Sequence, residues 1–149
     1  LLSPHEVLEV ALRIETEGEN SYRELAESAH NDRQGSVFRF LSSQERSHAD
    51  TFRTLLRRFE EEAIELINWD DARQYMAALT EASVFSDELK DAMSRSDYKK
   101  AIEHAIEVEK KSIAFYESLL KNSKADTVEA LEKVISEEKN HVELLEGLR

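Results

Sequence analysis

Residues 44–50 read QERSHAD, and they interrupt the apolar stripe of a long amphipathic helix. Apolar residues recur at Phe38, Leu41, Phe52, Leu55 and Phe59 with the three-and-four spacing of one helix face. Carried through the gap, that spacing lands on Glu45 and His48. An acid and an imidazole therefore stand where packing asks for Leu or Phe. An unpaired buried carboxylate is costly, so the stretch needs a chemical reason.

The same irregularity recurs along the chain. An earlier stripe runs Leu8, Ala11, Glu15, Gly18, Tyr22, Leu25, Ala29, and a later one runs Ile102, Ala105, Glu109, Ser112, Tyr116, Leu119. Each carries an acid, a small residue three later and a tyrosine seven later. A final stripe, Leu131, Val134, Glu138, His141, Leu145, Leu148, repeats the acid and histidine of residues 45 and 48. Glu15 to Glu109 and Tyr22 to Tyr116 are both 94 positions apart, while Glu45 to Glu138 and His48 to His141 are both 93 apart. The chain reads as two copies of one helical hairpin. Four interior glutamates and two interior histidines then converge at one level of a bundle.

Local signals place four helices, at about 4–30, 32–68, 96–120 and 126–147. Ser3-Pro4-His5-Glu6 is a capping box with Pro at the first helical position, Ser96 or Ser94 can cap the third helix, and Asp126 with Glu129 makes a box for the fourth. Residues of about 69–95 are too many for a structureless loop and are expected to form a partly helical crossover running the length of the bundle. The expected fold is an all-α four-helix bundle with one long crossover, occupying residues 1–149 as a single domain.

Clustered carboxylates repel one another, and buried without metal all four are expected to hold raised pKa values. Two divalent cations would neutralise them, with the imidazoles as neutral nitrogen ligands. One Glu from each of two helices plus Glu-x-x-His from each of the other two is the known ligand pattern of dinuclear carboxylate bundles. Residues three apart on a helix project from one face, so both can reach one metal pair. Gly18 and Ser112 are expected to leave room beside these acids. Tyr22 and Tyr116 are expected to hydrogen-bond the ligand carboxylates. The alternative for each histidine is a core imidazole satisfied by its own glutamate. Glu27-x-x-His30 lies off the stripe and reads as a solvated pair, and His5 and His104 read as surface residues.

Composition excludes several other classes. A net charge of −12 argues against a nucleic-acid surface, and the absence of cysteine excludes disulfides, thiolate metal sites and a cysteine nucleophile. No apolar run reaches membrane-spanning length and the N-terminus lacks a secretory pattern, so a cytoplasmic protein is expected.

The segments ALRIETEGENSYRELAE, FLSSQERSHADTF, AIEVEKKSIAFYESLL and VISEEKNHVELL resemble the four helices of the rubrerythrin-like family in the ferritin-like superfamily. The resemblance implies a ferritin-like fold and a di-iron site ligated by Glu15, Glu45, His48, Glu109, Glu138 and His141, with manganese open to the same oxygen and nitrogen ligands. It also implies a homodimer. Two features depart from the family pattern: there is no four-cysteine iron centre, and Ser112 stands where rubrerythrins carry a further glutamate. The expected function is two-electron reduction of hydrogen peroxide or dioxygen, with electrons from an external donor such as rubredoxin or a flavoprotein. Runners-up are a ferroxidase of the iron-storage type, disfavoured because no fifth helix is expected, and a metal-free structural bundle.

Overall fold

The computed structural model describes residues 4–57, 91–92, 97–120 and 125–149. Among them lie helices α1 (Pro4–Glu27), α2 (Asp32–Arg57), α3 (Tyr98–Leu120) and α4 (Ala125–Leu148), and no strand. Residues 58–68 of the expected second helix, most of the crossover, and the caps at Ser3, Ser94 and Ser96 lie outside the described residues.

Helix ends follow local hydrogen bonding. α1 stops at Glu27, short of the expected His30, because the backbone tightens there: Ser28 N donates to the carbonyls of Glu24 and Leu25, at 3.2 Å each. Asn31 then caps α2, its Oδ1 accepting from Gln34 N at 2.9 Å, while Gln34 Oε1 reaches back to His30 N at 3.1 Å. The Tyr98 hydroxyl donates to the Ser28 carbonyl and its ring meets His30 edge-on, which ties this corner to the start of α3. Asp97 caps α3, its carboxylate accepting from Lys100 N at 3.1 Å.

Two apolar clusters fill the interior. Leu8 and Ile14 of α1 pack with Phe52 and Leu55 of α2, Phe115 and Leu119 of α3, and Leu131 and Val134 of α4. At the other end, Tyr22 and Leu25 join Phe38, Leu41, Ile102, Ala105 and Leu145. Each buried Leu or Phe contributes roughly 1.5–3 kcal/mol relative to exposure. The memberships also set direction: α1 and α4 run one way, α2 and α3 the other. Parallel α2 and α3 cannot be joined by a short turn, which is the ferritin-like topology. α1 packs on α2, α3 on α4, and the two hairpins meet mainly along α2 and α4. Between the apolar clusters lies a polar layer.

Candidate metal centre

That layer is built from the stripe residues that broke the apolar pattern. Glu15 of α1, Glu45 and His48 of α2, Glu109 of α3, and Glu138 and His141 of α4 are all buried, none more than 5% exposed. They form two overlapping groups, Glu15, Glu45, His48 and Glu138 on one side and Glu45, Glu109, Glu138 and His141 on the other. Within each group, one potential ligand atom per residue lies within 4.8 Å of the others. Glu45 and Glu138 belong to both. Glu15 with His48, and Glu109 with His141, flank them.

Contacts across the layer come in pairs that follow the sequence repeat. His48 Nδ1 lies 2.7 Å from Glu138 Oε1, and His141 Nδ1 lies 3.1 Å from Glu45 Oε1, so each histidine meets a glutamate of the opposite hairpin. The imidazole rings stack 5.6 Å apart. The Tyr22 hydroxyl donates to Glu109 Oε1 at 2.5 Å, and the Tyr116 hydroxyl donates to Glu15 Oε1 at 3.1 Å. Gly18 sits against Glu45, where an added Cβ would lie 3.2 Å from Oε2. Ser112 is also buried in this layer. His30 is exposed at the α1–α2 corner, away from the cluster.

Electrostatics divide the four acids. Burial, with the charge of Glu138, raises the Glu15 carboxyl from 4.5 to about 8 against the opposing pull of His48. Burial would also raise Glu138, but its contacts with His141 and His48 outweigh that and lower it to about 2. The expectation that every clustered carboxyl is raised therefore fails at Glu138, because this acid lies between both imidazoles. His48 moves oppositely: burial disfavours its charge, yet hydrogen bonds to Glu138 and Glu15 prevail and raise it to about 10. Burial, helped by nearby carboxylate charge, pushes both Tyr22 and Tyr116 well above 10 and keeps them as neutral donors.

The cluster is not satisfied by its own hydrogen bonds. Among the described residues, buried Oε2 of Glu109 and Oε2 of Glu138 accept none, although the latter lies 3.4 Å from His141 Nδ1. An unsatisfied buried acceptor costs about 1–3 kcal/mol, and more when charged. Convergent carboxylate oxygens and imidazole nitrogens with free acceptor capacity suit divalent cations. The residues thus fit a metal pair.

Two contributors escape the stripe argument. His48 Nε2 lies 2.9 Å from Glu137 Oε2, and His141 Nε2 lies 3.4 Å from Gln44 Oε1. Each is the residue immediately before a shared glutamate, and the two are 93 positions apart. That repeat offset was the available signal.

A family model described as Rubrerythrin matches residues 6–149. Neither a curated protein nor a solved structure matches the chain. Among the described residues, no helix is long and apolar enough to cross a membrane. With its described helices in the ferritin-like topology, a buried Glu and His layer able to hold metal, and a family match spanning nearly all of its length, this chain belongs to the rubrerythrin family.

Proposed function

We propose that this protein is a dinuclear-iron oxidoreductase that reduces hydrogen peroxide or dioxygen by two electrons. Glu15 and His48 would hold one iron, Glu109 and His141 the other, with Glu45 and Glu138 shared between them. A bound ferrous pair supplies the two electrons, so that H₂O₂ with two protons gives two waters, or O₂ with two protons gives H₂O₂. The observation that supports this reading is the overlap of the two ligand groups at Glu45 and Glu138, an arrangement in one buried layer that would suit two cations sharing those carboxylates.

The chain's own groups prepare that layer. Tyr22 and Tyr116 fix Glu109 and Glu15 through neutral hydroxyls. Apolar clusters on both sides limit water. Burial favours the protonated form of Glu15 in the metal-free protein, and a proton held there must leave for ligation. None of these 149 residues is cysteine, so none can hold a thiolate iron centre; returning electrons come from an external donor such as a rubredoxin or a flavoprotein.

Anaerobic Fe(II) titration followed by stoichiometric H₂O₂ tests the proposal. Two irons per chain and full oxidation by one equivalent of peroxide are expected from the paired site. Failure to bind iron would overturn the metal assignment, whereas two irons indifferent to both peroxide and dioxygen would overturn the activity alone.

A further inference from the structure

The histidines are matched by the repeat, but the groups behind them are not. Glu137 on α4 reaches His48 on α2, and Gln44 on α2 reaches His141 on α4. The two contacts exchange the same pair of helices and occupy equivalent positions, yet one acceptor is a carboxylate and the other a neutral amide. Their lengths differ too, 2.9 Å against 3.4 Å. Glu137 is 27% exposed, so it retains contact with water while His48 is sealed inside.

Both imidazoles aim Nδ1 at the glutamate layer, and ligation through Nδ1 leaves the Nε2–H to donate outward, toward Glu137 or Gln44. A carboxylate acceptor makes that outer hydrogen bond charge-assisted, fixes the tautomer with a bare Nδ1 for ligation, and raises the basicity of Nδ1 as a ligand. A longer bond to an amide does this less.

Resting on the dinuclear reading, we propose that Glu137 and Gln44 are positioning residues that make the two metal positions unequal, the Glu15–His48 position binding more tightly than the Glu109–His141 position. The carboxylate behind His48 strengthens one ligand set, and the amide behind His141 leaves the other weaker. Metal entry is then ordered, with the first equivalent going to the His48 side.

Co(II) is the probe, titrated anaerobically into the metal-free 149-residue chain and followed by calorimetry and visible absorption. Wild type should bind in two resolved steps. Glu137→Gln keeps an acceptor for Nε2–H but removes its charge, and should weaken the first step by about 10- to 100-fold, so that the steps merge. Gln44→Glu should strengthen the second step and also narrow the gap. The double exchange Gln44→Glu with Glu137→Gln should separate the steps again. Melting of each metal-free variant verifies folding, and Glu137→Asp serves as a conservative rescue of the charge.

A structural role for Glu137 predicts a changed melting temperature with the two steps still resolved as in wild type, and that result would overturn the proposal. Two Co(II) bound by wild type in one unresolved step would overturn it equally, while leaving the dinuclear site standing. Absence of Co(II) binding would remove the metal reading itself.

Discussion

Gly18 faces Glu45 across the α1–α2 contact, and a Cβ there would meet Oε2 at 3.2 Å. A glycine within a helix destabilises it by about 1 kcal/mol relative to alanine, so its presence points to the space it leaves. Gly18→Ala should leave metal-free stability unchanged or up to about 1 kcal/mol higher, since a flexible carboxylate can move aside. It should nevertheless weaken metal binding by displacing a shared ligand. Thermal melting beside a Co(II) titration separates these effects; unchanged affinity with a lower melting temperature would mean that Gly18 serves packing only. Protonation gives a second residue-scale prediction. Glu15 and His48 are raised, to about 8 and about 10, so their stabilising contributions are full below 4.5 and 6.5 respectively and vanish as pH rises through the folded values. Glu138 is lowered to about 2, so its contribution is present above 4.5 and lost as pH falls through 2. The metal-free protein should therefore be more stable near pH 5 than near pH 8. Metal binding must displace protons from Glu15 and His48, so affinity should rise over the same interval. Melting at the two pH values checks the first statement and proton release on metal addition checks the second.

At the scale of helices, the two hairpins are joined differently along their length. Apolar side chains meet at both ends, and polar contacts join them in the middle. On the α1–α3 side these are the tyrosine-to-carboxylate bonds, Tyr22 to Glu109 and Tyr116 to Glu15. On the α2–α4 side they are the histidine contacts to Glu138 and Glu45. Each tyrosine also belongs to an apolar cluster, so phenylalanine preserves its packing and removes only the hydroxyl. Tyr22→Phe and Tyr116→Phe should each destabilise the metal-free protein by about 1–3 kcal/mol, because each removes a hydrogen bond from a buried carboxylate oxygen. Both should still bind metal, as no ligand atom is lost. Urea unfolding of the metal-free variants measures the first effect; a loss of metal stoichiometry in either would show that the hydroxyl does more than hold its carboxylate.

For the whole molecule, metal and fold are linked because ligands from all four helices share one layer. A metal that binds only the folded chain stabilises it by about 2.7 kcal/mol at a free concentration 100 times its Kd. The melting temperature should therefore climb with Fe(II) or Mn(II), and equal melting with and without saturating metal would count against a buried centre. His48→Leu and His141→Leu should abolish the rise by removing a nitrogen ligand. Neither is silent without metal, since contacts with both histidines lower the Glu138 carboxyl, and losing either leaves a buried acceptor less satisfied, at a cost of about 1–3 kcal/mol. His30→Leu disturbs only an exposed contact with Tyr98 and should keep the metal response.

Helical phase is a local property, and it alone placed Glu15, Glu45, His48, Glu109, Glu138 and His141 on buried stripes, while the 93- and 94-residue offsets set them at one level. The sequence by itself thus determined the bundle, its paired hairpins and the members of the cluster. Which residue meets which was decided only in three dimensions. Periodicity shows that His48 points inward, but not that it reaches Glu138 on α4 rather than its own Glu45. It could not assign Glu137 and Gln44 to the histidines, because both lie off the stripe and act across the α2–α4 contact. Nor could it foresee that Glu138 would move opposite to Glu15: a carboxyl's protonation follows the charges around it, and those come from separate helices brought together by packing. Spacing along a helix sets direction from its axis, whereas distance between helices is a property of the assembled core.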